Sequence, residues 1–188
     1  MTLILESYPA QLARWPSQGR HILAQYDGSS VIVYQAYRPS IARWALHQGR
    51  LGGPDFSFRR MSWIKPNFLW LMYRSGWGTK DGQEVTLALR IRRAFFDSLV
   101  TTESSEVRVQ WDPDHDPSGA PLQRRALQLG LRGSALAALA AEQLLEIIDA
   151  SPLVAAQRGL CRGRRMGSSS NAARRSLPAQ NDTITFRP

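Results

Sequence analysis

The hydrophobic positions along the chain change period several times, and each change predicts an element. Val31 to Tyr37 is a β-branched and aromatic run with almost no polar residue on either face, which predicts a central strand. Pro39 suits the first position of a helix, where a missing N–H costs nothing. Ile41, Trp44, Ala45 and Gln48 then recur at helical spacing, and Gly49 suits the left-handed residue beyond the end. A second strand is expected over Phe56 to Trp63. Pro66 to Ser75 predicts a short helix with Phe68, Leu69, Trp70, Leu71 and Met72 on all its faces, as in an element buried on every side. Gly76, Gly78 and Gly82 mark the loop after it.

Alternation returns at Val85, Leu87 and Leu89, a third strand, followed by a helix near Arg92 to Val100. Val107 to Trp111 reads as a fourth strand, Trp111 to Pro121 as a turn-rich loop, and Leu127 to Leu131 as a fifth strand. Ser134 is positioned to cap a helix expected to continue through Ile148 and stop before Pro152. Residues 1–30 form a lead-in broken by Pro9 and Pro16, with one short helix or strand around His21 to Gln25 and a turn over Tyr26 to Ser30. Strands and helices in rough alternation predict an α+β (mixed α/β) domain. Its expected centre is a mostly antiparallel or mixed sheet of about five strands flanked by short helices.

Length and composition bound this picture. With 188 residues, 43% hydrophobic and 21% charged, the chain fits one globular domain, expected over residues 1–160. No run approaches the roughly 18 apolar residues of a membrane span. The N-terminus also lacks the positive-then-apolar layout of a secretory signal, so the cytoplasm is the expected compartment and no membrane partner is expected. The single Cys161 excludes an internal disulfide or a cysteine metal cluster and suits a reducing compartment.

Charge changes the picture more. The formal net charge is +9, and from Cys161 onward six arginines face the single acid Asp182. Over half the excess therefore lies in residues 161–188, which are rich in Arg, Ser and Ala without apolar periodicity and read as a basic, disordered tail. Such a tail attracts polyanions without sequence preference.

Four stretches carry a resemblance: Val31 to Leu46, Arg59 to Glu84, Val107 to Pro117 and Arg124 to Gly133. In order and spacing they resemble the bacterial and fungal family of domain of unknown function 4291, over roughly residues 20–158. Residues from Gly159 onward depart from the family pattern. More distantly, the order of elements is similar to the ADP-ribosyltransferase superfamily, which implies NAD as a substrate and a nucleic acid or a protein as acceptor. Cleaving the nicotinamide bond creates a cationic ribosyl centre, so a site needs an aromatic floor, cations for the diphosphate and an acceptor near the ribose. Gln128, Tyr34 and Gln35 are the candidate catalytic residues, with Gln128 standing where the superfamily commonly has a glutamate. Tyr37, Arg38, Arg59, Lys65, Tyr73 and Trp77 are the candidate NAD-binding residues.

The competing reading is a binding module. Arg60, Arg74, Arg124 and Arg125, with other arginines interleaved among Trp63, Trp77 and Trp111, are candidates for a basic, aromatic-lined groove that takes single-stranded nucleic acid. Asp112, Asp114, His115 and Asp116 have the ligand types of a metal or acid–base site. Two Asp-Pro steps and a Ser-Gly turn explain them as well, and no metal is expected. Neither a G-x-G-x-x-G after a strand nor a G-x-x-x-x-G-K-[ST] is present, which disfavours Rossmann-type and P-loop nucleotide binding.

Overall fold

A strand buried on both faces needs a core on each side, and the chain supplies two. The structure, a computed structural model, describes residues 3–162 and 176–180. Along it run β1 (Leu5–Ser7), α1 (Tyr8–Leu12), β2 (Gly19–Arg20), β3 (Ser30–Tyr37), α2 (Pro39–Gln48), β4 (Ser62–Ile64), α3 (Phe68–Ser75) and β5 (Val85–Arg92). These are followed by α4 (Arg93–Thr101), β6 (Val107–His115), β7 (Pro121–Leu131), α5 (Gly133–Ala140), β8 (Leu144–Asp149), α6 (Ser151–Arg162) and β9 (Ser176–Pro178). The class is α+β, as expected. The strands are shared among three sheets instead of one.

β3, β5 and β8 form an antiparallel sheet with β5 in the middle. Because side chains alternate along a strand, Val31, Val33, Leu87, Leu89 and Ile91 enter one core while Ile32, Tyr34 and Ala88 enter the other. The first core is closed by α2, α4, α5 and the apolar face of β7, through Leu127, Leu129 and Leu131. The second is closed chiefly by α3, through Phe68, Leu69, Leu71 and Met72, with Trp15, Val154 and Leu177. Burying each such side chain contributes about 1.5–3 kcal/mol, so this sandwich fixes where α3 lies.

β7 pairs with β6 along one edge and, on the other, with β2 in parallel and β4 antiparallel. A bridge between Tyr34 and Lys65 ties this second sheet to β3: Tyr34 N–H donates to Lys65 O at 2.7 Å and Lys65 N–H to Tyr34 O at 3.1 Å.

Several expectations need correction. The alternation at Phe56 to Trp63 is not a strand: residues 53–60 are turns and loop, and pairing with the end of β7 selects only Ser62–Ile64. The helix expected from Ser134 to Ile148 stops at Ala140, because Ile147 and Ile148 pair with Leu89 and Ala88 of β5. Its cap comes from across the chain, where the Glu106 carboxylate accepts from the Ser134 and Ala135 N–H groups at 3.0 and 3.3 Å. The loop expected from Trp111 begins late, since β6 runs on to His115 and only Asp116 to Ala120 turns. Pro113 is tolerated because β6 pairs, among the described strands, with β7 alone. Residues 21–25 hold no helix or strand beyond an isolated bridge, and Pro9 sits in the first turn of α1 instead of breaking the chain.

Most of the expected tail, 163–175 and 181–188, lies outside the described residues. Ser176–Pro178, however, pairs antiparallel with β1, and Leu177 is buried in the second core. Those residues belong to the folded unit.

Candidate functional site

α3 starts where the Asn67 side chain accepts from Trp70 N–H at 3.0 Å, and ends at Gly76, whose φ of 57° is left-handed. Phe68 to Met72 are buried, whereas Tyr73 and Arg74 reach solvent, so the helix is not enclosed on every side. On the far side of the segment before α3, β6 and β7 turn their polar face the same way. The register sets Gln110 opposite Gln128 and Asp112 opposite Ala126.

Between these elements lies a cleft of about 520 Å³, lined by Gln35 and Tyr37 of β3, Arg60 to Trp63 and Lys65, Arg74 of α3, Gly82 and Gln83, and Gln110 and Gln128. Its volume is in the roughly 300–1,000 Å³ range of small-molecule sites. A second depression of about 540 Å³, around Val100 to Ser105 with Val107 and Val109, has Glu103 as its one charged group and no aromatic residue. It offers little for a specific ligand to hold.

The hydrogen bonds under the cleft decide what it presents. Gln128 Nε2 donates to Asp112 Oδ2 at 2.6 Å, and Gln110 Nε2 donates to Asp112 Oδ1 and Oδ2 at 3.0 and 3.1 Å. An ionised carboxylate only accepts, so it fixes which way both amides face. Their Oε1 atoms are left as acceptors without a protein donor among the described residues. Across the cleft, Gln35 Nε2 donates to Ser62 Oγ at 2.8 Å and Trp63 O at 3.1 Å, and Tyr37 Oη donates to Gln35 Oε1 at 2.7 Å. That network pins β3 to β4. Gly130 makes the neighbouring wall possible: a Cβ there would stand 2.5 Å from Met61 Sδ and 3.1 Å from Trp63.

Lys65 is 7% exposed, and its ammonium makes no hydrogen bond to the described residues. Burial, then the charge of Arg74, lower its pKa to about 8, with the Asp112 carboxylate opposing them. Burial also raises the pKa of the Tyr37 hydroxyl, which keeps it a neutral donor.

The cleft thus gathers Gln128, Gln35, Tyr37, Lys65, Arg60 and Arg74 from the expected site residues. Gln35 belongs to it as a positioning group, because its amide is fully engaged. Tyr34 does not: it is fully buried against Phe68, with ring centroids 5.3 Å apart, on the opposite face of β3. Arg38 and Arg59 are exposed and do not line the cleft. Trp77 packs edge-on against Phe68 at 6.2 Å, and Tyr73 stacks on His115 at 3.6 Å, both away from the lining.

Arg124, expected to contact nucleic acid, is 1% exposed and ion-paired to Asp114 at 2.6 Å, so it cannot reach a polymer. Arg125, its neighbour on β7, is exposed on the strand's other face. Arg90 and Arg93 are likewise paired, with Glu146 and Asp97. The acidic loop does not converge either. Asp112 holds two amides, Asp114 holds Arg124 and Asn67, and Asp116 closes its own turn. Sequence reasoning missed Gln110, Ser62 and the role of Asp112, for which the usable signal was strand parity: 110 and 112 share a face of β6 as 128 shares one of β7.

Among the described residues no helix is long and apolar enough to cross a membrane. No curated protein matches the chain. A family model does match, over residues 21–104 and 99–181; it includes every element that builds the cleft and runs on past Gly159 to residue 181, which corrects the expected departure from the family pattern there. The chain belongs to the family described as Domain of unknown function (DUF4291).

Proposed function

We propose that the cleft binds NAD and transfers its ADP-ribosyl group to an acceptor. The observation that carries this reading is Gln128: its amide is locked by Asp112 with the oxygen free, in a cleft it shares with Arg60, Lys65, Arg74 and Tyr37. The arginines at the rim suit a diphosphate, which they can grip through bidentate hydrogen bonds. Tyr37 and Trp63 offer aromatic surface for the nicotinamide.

In this reading the C1′–N bond breaks, nicotinamide leaves neutral with the bonding pair, and positive charge develops on the ribosyl carbon. The amide oxygens of Gln128 and Gln110 are fixed dipoles with their negative ends available to that charge and to the ribose hydroxyls. An acceptor nucleophile then bonds to C1′ and releases its proton. The acceptor is a nucleic acid or a protein, and the exposed Arg60 and Arg74 are the groups at the rim that it would meet.

The test is incubation of the purified protein with NAD labelled in the adenylate, alone and with separate pools of protein, RNA and DNA. Nicotinamide release and transfer of label to one pool are expected, both lost in Gln128→Ala. Absence of nicotinamide release in every pool removes the reading.

A further inference from the structure

The chain has only two lysines among its 24 basic side chains. Lys80 is exposed, whereas Lys65 is buried in the floor of the cleft. An arginine in the same place would carry a permanent charge and no nucleophilic lone pair. Lys65 differs in both respects: it lines the cleft, its amine has no hydrogen-bond partner among the described residues, and it feels the charge of Arg74, which lines the same cleft. Desolvation and a neighbouring positive charge are the two conditions that activate an amine toward carbonyl groups.

We propose that Lys65 is an imine-forming amine, whose Nζ condenses with the carbonyl carbon of a phosphate-bearing aldehyde or ketone held by Arg60 and Arg74. The neutral amine attacks the carbonyl carbon and the oxygen takes up a proton. Both protons of the amine end on that oxygen, which leaves as water as the C=N bond forms. No oxidant or reductant enters the balance. The groups around the amine favour its neutral form on one side and proton exchange on the other: Arg74 from α3 and Arg60 at the rim are cations, Asp112 from β6 is the facing carboxylate, and Tyr37 from β3 is neutral. The pKa of about 8 leaves about half the amine unprotonated at mildly alkaline pH.

The probe is pyridoxal 5′-phosphate followed by borohydride, which turns an imine into a stable secondary amine read by peptide mass. Lys80 is the internal reference. At pH 8 the expected result is labelling of Lys65 at least about tenfold over Lys80, reduced by competing inorganic pyrophosphate and weaker with pyridoxal that lacks the phosphate. Lys65→Arg should keep the circular dichroism of the parent and lose the cleft adduct. Labelling of the two lysines to the same extent, or none at Lys65, overturns the proposal. Equal labelling with and without the phosphate overturns its anionic part. The experiment contains no NAD, so it reads Lys65 independently of the transfer reaction.

Discussion

Gln128 donates its side-chain amide to the carboxylate of Asp112 at 2.6 Å, across the hairpin formed by β6 and β7. The carboxylate does not line the cleft, yet it governs the two amides that do. Asp112→Asn keeps the shape but restores a donor, so either amide is free to turn over. If the cleft carries out the proposed transfer, nicotinamide release is expected to fall about a hundredfold, mainly in kcat, the cost of misplacing a group that acts on the reacting carbon. Steady-state kinetics on NAD check this, and a thermal midpoint within a few degrees of the parent shows that the fold survives.

Asp114, two residues further on, has the opposite role. Its Oδ2 accepts from Arg124 Nε at 2.7 Å and its Oδ1 from Asn67 Nδ2 at 3.1 Å, with almost no exposure. Arg124 also donates to Pro16 O at 2.7 Å and lies 5.1 Å from the Trp15 ring. Removing one partner strands a buried charge, which costs about 3–5 kcal/mol. Asp114→Ala is expected to lower stability by that amount in urea denaturation, with salt restoring little of it.

Lys65 predicts a pH dependence of stability. Its pKa falls from the ordinary 10.5 to about 8 in the folded protein, so between those values the unfolded chain holds the extra proton. Stability therefore rises with pH through that window, and burial of the charge costs on the order of 3 kcal/mol below it. Lys65→Met should be more stable than the parent at pH 7, and the difference should shrink toward pH 10. Tyr34 and Tyr37, whose burial raises their pKa values, set the alkaline limit: above about pH 10 the unfolded chain loses their protons first and stability falls. Thermal melts across pH 6 to 11 check both limbs.

Gly133 tests the long-range cap on α5. Its φ of 56° is left-handed, and a Cβ would run into the Glu106 carboxylate that accepts from Ser134 and Ala135. Gly133→Ala is expected to cost more than the roughly 1–2 kcal/mol of a left-handed alanine, since the cap is displaced as well. Glu106→Ala, alone and combined with Gly133→Ala, separates the two effects by double-mutant denaturation.

Local rules read well from the sequence. Pro39 opens α2 and Gly49, with φ of 65°, closes it, because both act through their own backbone. What failed depended on distant partners. Leu144 to Ile148 continues an alanine-rich helical pattern and becomes a strand only because β5 offers an open edge. Phe56 and Phe58 alternate like a strand but meet edge to face, ring centroids 4.9 Å apart, in a loop that follows Gly52 and Gly53 against the Trp44 ring. The site was legible in its residue types, for Lys65, Arg74, Tyr37 and Gln128 do meet. Which of two adjacent arginines would face it was not. Arg60 lines the cleft and Arg59 does not; both lie in the turn before β4, where strand alternation gives no rule.

Residues 176–180 do more than fill a groove. Trp15 Nε1 donates to Gln180 O at 3.1 Å, Gln11 reaches Leu177 O at 3.4 Å, and Gln180 Nε2 donates to Pro66 O at 3.3 Å, one residue from the buried amine. The last of these ties a late part of the polypeptide to the threshold of α3. A frameshift or stop before Ser176 would remove all three of these hydrogen bonds, including the one at Pro66 beside Lys65, although every residue that lines the cleft would still be made.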